Sequence, residues 1–457
     1  MTDSLPPQLD PSWRGHIHAT LRLGLPLIGS QLAFIGLSVT DTIMLGWLGA
    51  APLAASVLAT QLFFVTMIAG SGMANAVSPI VANAVGAGDT RTVRRSVRMA
   101  MWGSVFYCMI ASWHLWFSEP LFLMLGQEPE LARAGQDYLR IAMWSLPIAL
   151  FHNAMRSYLT ALEYAGIVLF ATLLGLILNA LINYAFIFGN WGAPALGIKG
   201  AAVATLGTNI VMFAIMTLYA VAQKDLKDFE VLNRFWQPDW QALGEVFRLG
   251  WPISLTLLAE VSLFAFSTIM MGWLGVIVLA AHGIALQVIS VIFMIPLGLT
   301  FAATVRVGRA VGRKDALGLY RASVTVTVIA LIIAVLAALL LVTVPEPLIR
   351  LFLDADNPDA QAIIAIGVPL LAVAALFQIV DTLQVIAVGL LRGLKDTKIP
   401  MYMAVVSYLV FGLAAAYVLG FPMGFDGVGI WIGLAVGLFV AAILLGGRFM
   451  KLMKTAV

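Results

Sequence analysis

Charged residues are scarce in this sequence. Only 11% of its 457 residues are Asp, Glu, Lys or Arg, whereas 61% are hydrophobic. Soluble domains carry about a quarter charged residues, and a soluble fold has too little interior to bury so much apolar surface. The composition therefore excludes an ordinary soluble domain and favours an integral membrane protein.

The residues and motifs of most catalytic sites are also missing. The chain has no GxxxxGK[ST], HExxH or G-x-S-x-G motif and no cluster of Cys and His. Its single cysteine, Cys108, lies in an apolar segment, forms no intrachain disulfide and is interpreted as a small buried hydrophobe. We therefore expect no enzyme, no cofactor and no metal beyond a possible Na+.

Long apolar stretches fill most of the chain, each near the roughly 20 residues that cross a bilayer as a helix. The first residues, MTDSLPPQLDPSWRG, lack the basic start and short apolar core of a cleavable signal peptide, so the first span should direct insertion. We predict an all-α membrane protein with twelve spans, at approximately 20–46, 52–82, 93–117, 138–162, 165–190, 197–222, 243–272, 277–304, 317–344, 361–391, 399–421 and 427–447.

Basic residues predict how these spans are oriented, because Lys and Arg tend to stay on the cytoplasmic side. With a cytoplasmic N-terminus, 22 of the 26 Lys and Arg fall in cytoplasmic segments. The outer segments are acidic, as in SEPLFLMLGQEPE. We therefore expect a multi-pass protein of the bacterial inner membrane with both termini in the cytoplasm. This orientation explains the excess of Lys and Arg, so no nucleic-acid partner is needed to account for it.

The sequence consists of two halves of similar design. Residues 22–50 align with 248–276 without a gap, and 14 of the 29 positions are identical at an offset of 226. Such an offset spans six helices and predicts parallel repeats, which usually hold substrate between them. We predict an N-lobe at 1–221, a cytoplasmic linker at 222–242 and a C-lobe at 243–457. Pro26 and Pro252 occupy equivalent positions and are candidates for helix kinks.

Three acidic residues break the repeat inside the spans: Asp41, Glu260 and Asp381. At an offset of 226 they face Ser267, Phe34 and Met155. A charged side chain at a helix centre costs at least about 2.5–3.5 kcal/mol on insertion scales, and no Lys or Arg was placed at membrane depth to neutralise them. Protons, metal cations or a cationic solute remain as partners, although protonated carboxyls hydrogen-bonded between helices are the alternative.

Polar and aromatic residues near these acids are less specific signals. Asn179 and Asn183 lie one helical turn apart, and Thr205 could add a hydroxyl; interhelical hydrogen bonds explain them equally well. His152 and His282 are better explained by ordinary interfacial roles than by a proton relay. Candidates for the lining of a substrate cavity, which could equally be packing residues, are Phe264, Phe293, Phe377 and Gln287.

Several motifs together resemble the multidrug and toxic compound extrusion (MATE) family, in its NorM-like branch. They are VTDTIMLGWLGA, AEVSLFAF, TVRVGRAVGRKD and QIVDTLQVIAVGLLRGLKDTKIP, and the resemblance covers essentially the whole chain. It implies two six-helix lobes that form a V in the membrane. It also implies alternating access driven by inward Na+ or H+, with amphipathic, mostly cationic drugs and dyes as substrates.

The resemblance also assigns roles to the candidate residues. Glu260 and Asp381 match the C-lobe acids at which a coupling cation is thought to bind, whereas Asp41, Asn179, Asn183 and Thr205 match the N-lobe polar site. Two positions depart from relatives: Asn183 stands where the DinF-like branch has an aspartate, and Phe377 where some relatives have tyrosine. Both bear on the choice between Na+ and H+, which stays open.

The main alternative is a flippase for a lipid or lipid-linked oligosaccharide on the same broad fold. Its anionic head group should require basic residues at membrane depth, where this sequence has acids. A membrane-embedded enzyme and a passive channel are weaker alternatives. The expected partners are small cationic or amphipathic molecules and the bilayer, with the protein as a monomer.

Overall fold

A computed structural model describes residues 11–354 and 358–455, and all regular secondary structure in these ranges is helical. The helices are α1 Trp13–Gly46, α2 Ala50–Ala87, α3 Thr90–Trp116, α4 Ser118–Met124, α5 Pro129–Ala142, α6 Ser145–Ala161, α7 Ala165–Phe188, α8 Ile198–Ala222, α9 Lys224–Lys227, α10 Trp240–Trp273, α11 Val276–Gly312, α12 Ala316–Thr343, α13 Pro345–Arg350, α14 Ala360–Gly393, α15 Lys398–Val405, α16 Leu413–Gly420 and α17 Asp426–Met453. A 3-10 turn at Asn190–Gly192 follows α7, and a π-helical segment at Val406–Gly412 joins α15 to α16. The all-α prediction is confirmed.

Ten helices in the described ranges are long and apolar enough to cross a membrane, counting α15 to α16 as one. The remaining two predicted spans have helices as well. The span at 93–117 is α3, and the span at 138–162 covers the end of α5, a break at 143–144 and all of α6. The helices therefore account for twelve predicted crossings, one of them interrupted.

The described chain divides into two compact units. One contains residues 29–254, and the other contains 11–28 together with 255–354 and 358–455. The boundaries at 28/29 and 254/255 lie 226 residues apart and fall two residues after Pro26 and Pro252, which lie inside α1 and α10. The first part of α1 thus belongs to the second unit, and residues 222–254 belong to the first.

Each unit has its own buried apolar interior. In the first, Phe122, Tyr138, Leu139 and Leu146 are almost fully buried. In the second, Phe377, Tyr408 and Trp431 are among the largest fully buried side chains. The helices that bear the candidate acids pack against these interiors.

Residues 228–239 are anchored to the face of α3. Arg94 forms an ion pair of 2.6 Å with Glu230, and Arg95 forms a second pair with Asp239. The Nε1 of Trp102 donates to the carbonyl oxygen of Phe235 at 2.9 Å. Because Arg95 donates to the Asp239 carboxylate, the pKa of Asp239 falls to about 2. The predicted linker is therefore a docked segment of the first unit.

The repeat is visible in the backbone, but its offset is not constant. α2 and α11 begin 226 residues apart, as do α3 and α12, whereas α6 and α14 end 232 residues apart. The turns after α6 and α14 match at this larger offset, with positive φ at Glu163 and Lys395. The pairing of Asp381 with Met155 is therefore wrong; an offset of 232 places Ala149 opposite it. Asp381 still breaks the repeat.

Candidate functional site

The structure brings Glu260 and Asp381 together in the second unit. Glu260 on α10 is half-buried, and Asp381 on α14 is 3% exposed. The two carboxyl groups lie within electrostatic range of each other and of the Tyr408 hydroxyl. Within residues 11–354 and 358–455, the Asp381 Oδ1 has no hydrogen-bond partner. This acid pair is the centre of the candidate site in the second unit.

Aromatic rings pack one helical turn from both acids. The rings of Phe264 and Phe377 lie 6.0 Å apart, and the ring of Trp431 lies 5.6 Å from that of Phe377. Phe264 follows Glu260 by four residues, and Phe377 precedes Asp381 by four. Phe377 is 1% exposed, so in this conformation its ring belongs to the packed interior of the second unit, and a role in lining a substrate cavity stays a prediction.

His282 holds this aromatic cluster to α10. The Trp431 Nε1 donates to the Nδ1 of His282 at 3.1 Å, and the His282 Nε2 lies 3.1 Å from the Thr268 hydroxyl. That hydroxyl donates to the carbonyl oxygen of Phe264 at 3.0 Å. Because Nδ1 accepts, a neutral His282 carries its hydrogen on Nε2. His282 is fully buried with both ring nitrogens bonded, which is a structural role inside the unit and not at its surface.

α14 carries further buried polar groups around the acids. Gln378 is 1% exposed, and Gln384 on the same helix donates to the Tyr408 hydroxyl. Other buried polar atoms on this helix and beside it have no hydrogen-bond partner in the described chain, namely both carboxamide atoms of Gln378, the hydroxyls of Thr382 and Ser407, and the Oε1 of Gln384. The site is therefore rich in oxygen atoms that are available to a ligand.

The first unit contains the other predicted acid with its amide neighbours. The Nδ2 of Asn183 donates to the Asp41 Oδ1 at 2.5 Å and to the Asn179 Oδ1 at 3.2 Å. Asn179 and Asn183 are almost fully buried on α7, whereas Asp41 on α1 is half-buried. The neutral amide of Asn183 therefore donates to the half-buried Asp41 side chain and is itself bonded to Asn179.

Thr205 lies beside this group but is satisfied locally. Its hydroxyl donates to the carbonyl oxygen of Ala201 at 3.0 Å. The hydroxyl of Tyr138, a buried residue of α5, lies within interaction range of Thr60, Thr205 and Asp41. Tyr138 is thus a neighbour of the site that the sequence did not reveal.

The remaining cavity candidates are Phe293 and Gln287. Neither forms a hydrogen bond or a ring contact with the acid pair in the described part of the chain. Phe293 is half-buried and Gln287 is exposed, both on α11. His152, on α6, is 5% exposed. For Phe293 and Gln287, a role in substrate binding stays a prediction.

Two arginines lie on helices that match predicted spans. Arg156 lies on α6, inside the predicted span 138–162, and donates to Gln31 at 2.9 Å and to Asn153 at 2.8 Å. Arg392, in the last turn of α14, interacts electrostatically with Glu260. α14 continues two residues past the predicted span 361–391, so Arg392 lies on the helix, whereas Arg156 lies inside the predicted span 138–162, towards its predicted cytoplasmic end.

Of the other site residues that the sequence did not reveal, only one had a usable signal. Gln378 precedes Asp381 by three residues and therefore shares its helix face. Tyr138 and Tyr408 had none, because they are distant in sequence and meet the acids only through helix packing. In the described ranges, no group of three or more His, Cys, Asp and Glu is placed to hold a metal ion. A cation at these acids would therefore need neutral oxygen ligands as well.

Comparison with known proteins identifies the family. The sequence model of the MatE family matches residues 26–185 and 252–418. A "Probable multidrug resistance protein NorM" of Rhizobium meliloti is 48% identical over 447 residues, covering 98% of this chain and 96% of the relative. A protein of the same name from Agrobacterium fabrum is 47% identical, with 97% and 95% of the two chains covered.

Solved structures show the same fold. An outward-facing multidrug resistance MATE family transporter of the MOP superfamily matches with a TM-score of 0.85 at 22% identity, covering 96% of each chain. A eukaryotic MATE transporter matches with a TM-score of 0.86 at 20% identity, covering 97% of this chain and 98% of the other. Family, fold and full-length relatives agree, so the chain belongs to the MATE family and is a multi-pass multidrug efflux transporter of the NorM type.

Proposed function

We propose that this protein is a secondary active antiporter that exports amphipathic, mostly cationic drugs and dyes in exchange for inward Na+ or H+. The observation that carries the proposal is the pairing of Glu260 with Asp381, whose Oδ1 lacks a hydrogen-bond partner in the described chain. Two neighbouring carboxyl groups among membrane-spanning helices are stabilised by one added positive charge. A cation or proton supplies that charge.

The arginine beside the site does not fully neutralise the two acids, so an added positive charge is still favourable. Arg392 interacts electrostatically with Glu260. One arginine against two carboxylates leaves a net negative charge at the pair. This charge favours inward-moving cations and cationic substrates, and the half-buried ring of Phe264 offers an apolar surface to a drug.

Asp41 is proposed as a second cation or proton site, with Asn179, Asn183 and Thr205 as its polar neighbours. Amide nitrogens stabilise an ionised carboxylate without neutralising it. Asp41 can therefore alternate between a charged state and a state that carries a proton or cation. The protein would act as a monomer of the inner membrane with both termini in the cytoplasm.

Transport in proteoliposomes tests this function. We expect dye export against a gradient when either a pH gradient or a Na+ gradient is imposed alone, and the effective gradient identifies the ion. Glu260→Gln and Asp381→Asn should lower driven transport at least about tenfold, because each removes a charge that the ion must compensate. The matched control is Glu130→Gln, an exposed glutamate on α5. Normal driven transport in both site variants contradicts the proposal.

One observation favours the flippase alternative. Arg156, on α6 within the predicted span 138–162, offers a positive charge to an anionic head group, and it already donates to Gln31 and Asn153. Head-group scrambling in liposomes without dye movement would establish that activity. Dye movement without scrambling, together with its loss in Asp381→Asn, establishes the antiporter.

A further inference from the structure

Gln378 is a buried carboxamide with no hydrogen bonds from its side chain. It lies on α14 at 1% exposure, and neither its Nε2 nor its Oε1 has a partner within residues 11–354 and 358–455. A carboxamide without partners is costly in an apolar surrounding, and buried polar groups nearly always find a partner. The side chain therefore has free capacity to donate and to accept.

The same face of α14 carries two more polar groups of this kind. Asp381 lies three residues after Gln378, and Thr382 lies four residues after Gln378. These spacings place the side chains next to that of Gln378 on one face of the helix. The Asp381 Oδ1 and the Thr382 Oγ1 also lack partners in the described chain. A buried threonine hydroxyl often donates to the carbonyl four residues earlier, but Thr382 does not do so here. One helix face thus presents a carboxamide, a carboxylate and a hydroxyl that are all unsatisfied.

The chemistry of these groups selects a ligand. All three offer oxygen lone pairs, and hard cations are bound by carboxylate oxygens and by Asn or Gln carbonyl oxygens. No set of three or more His, Cys, Asp and Glu is available to a metal ion in the described ranges. A cation at Asp381 therefore needs neutral oxygens, and Gln378 offers one on a carboxamide that makes no other side-chain hydrogen bond in the described chain.

We propose that Gln378 is a third binding residue of the Glu260 and Asp381 site, which rests on the proposed coupling function. With Na+ bound, the Gln378 Oε1 and the Asp381 Oδ1 share the ion, while the Gln378 Nε2 donates to the carboxylate. With a proton bound, the Asp381 carboxyl O–H donates to the same Oε1. In both cases the carboxamide oxygen faces the added positive charge, so loss of this oxygen weakens the binding of either ion.

The test uses the full-length protein in lipid nanodiscs. Binding of radioactive Na+ is measured for wild type, Gln378→Leu and Gln378→Glu. The matched control is Gln361→Leu, since Gln361 is an exposed glutamine on the same helix. We expect Gln378→Leu to raise the Na+ dissociation constant about tenfold, the value of one hydrogen-bond-like contact to a charged group. Gln378→Glu keeps an oxygen at this position and should retain Na+ binding, and Gln361→Leu should match wild type.

A second measurement covers coupling to protons. Dye efflux is followed in proteoliposomes as the internal and external pH are varied without Na+. If the proton is the coupling ion, the proton concentration that gives half-maximal efflux should be about tenfold higher for Gln378→Leu than for wild type. The reason is that the protonated carboxyl group has lost its hydrogen-bond acceptor.

The outcomes separate this inference from the function on which it rests. If Asp381→Asn abolishes ion dependence but Gln378→Leu behaves as wild type towards both ions, the inference is wrong and the antiporter stands. Loss of Na+ binding in a folded Gln378→Glu variant also contradicts the inference. If ion gradients drive no transport in the wild type, the proposed function itself fails.

Discussion

The rings of Phe264 and Phe377 meet edge to face, with centroids 6.0 Å apart and planes at 70°. This contact fixes α10 against α14 at a point one helical turn from Glu260 on one helix and one turn from Asp381 on the other. The two acids, 121 residues apart in sequence, are therefore brought to one place by aromatic packing. Trp431 and His282 in turn hold Phe377 and α10.

Replacing Trp431 by phenylalanine should destabilise the second unit. The substitution keeps most of the ring packing but removes the donor to the His282 Nδ1, and a fully buried acceptor without a donor costs about 1–3 kcal/mol. Thermal unfolding in detergent measures the loss. Trp144→Phe, at a residue that is 60% exposed, is the control and should leave the melting temperature unchanged. Equal melting temperatures for Trp431→Phe and wild type would show that this hydrogen bond contributes nothing.

A methyl group at Gly72 should disrupt the crossing of α2 and α10. A Cβ at Gly72 would lie 2.1 Å from the carbonyl oxygen of Gly250, so the backbones would have to separate. We expect Gly72→Ala to cost about 1–3 kcal/mol or more, the range for overpacking. The repeat-related position, Gly298, should behave alike, because its Cβ would lie 2.7 Å from the Ile28 nitrogen.

Gly446 on α17 supplies the control for these glycine variants. A Cβ there meets nothing within 4 Å, so Gly446→Ala should be neutral or stabilising by up to about 1 kcal/mol through helix propensity. Protein yield and melting temperature compare the three variants. A Gly72→Ala protein as stable as Gly446→Ala would show that the two helices separate at little cost.

The ion pair between Arg95 and Asp239 should make the first unit sensitive to acid. Because this partner lowers the Asp239 pKa from 3.8 to about 2, the folded state prefers the ionised carboxylate. The pair therefore stabilises the fold above about pH 4, and its contribution disappears as the pH falls from about 4 towards 2. Wild type should lose about 1 kcal/mol more than Asp239→Asn over this range. Parallel pH dependences in calorimetry or fluorescence unfolding would rule out this contribution.

The orientation of the chain can be tested with single cysteines. Cys108 is buried and is the protein's sole cysteine, so Cys108→Ser provides a cysteine-free background. In that background, Arg313→Cys, after α11, should react with an impermeant maleimide only from the cytoplasmic side. Glu128→Cys, between α4 and α5, should react only from outside, because the two segments differ by an odd number of predicted spans. Labelling of both from the same side would contradict the predicted orientation.

The sequence allowed some properties of the candidate site to be predicted and hid others. Glu260, Asp381 and Asp41 stood out, because an acid in an apolar run is costly wherever it lies in a membrane protein. Tyr138, Tyr408 and the role of His282 did not, since their environment depends on contacts between helices far apart in sequence. The offset of 226 holds where α2 and α11 begin, but the offset between the ends of α6 and α14 is 232, so a constant offset of 226 mispairs Asp381 with Met155.

Composition and pattern alone determined that this chain is a helical membrane protein built from two repeats. Those properties follow from hydrophobic length, backbone hydrogen bonding in lipid and similarity between the halves, all of which are local or additive along the chain. Tertiary structure decided which residues meet at the acids, that residues 228–239 dock on α3, and that the first part of α1 packs with the second unit. These depend on the depth and rotation of each helix against its neighbours, which side-chain packing fixes and a linear pattern does not record.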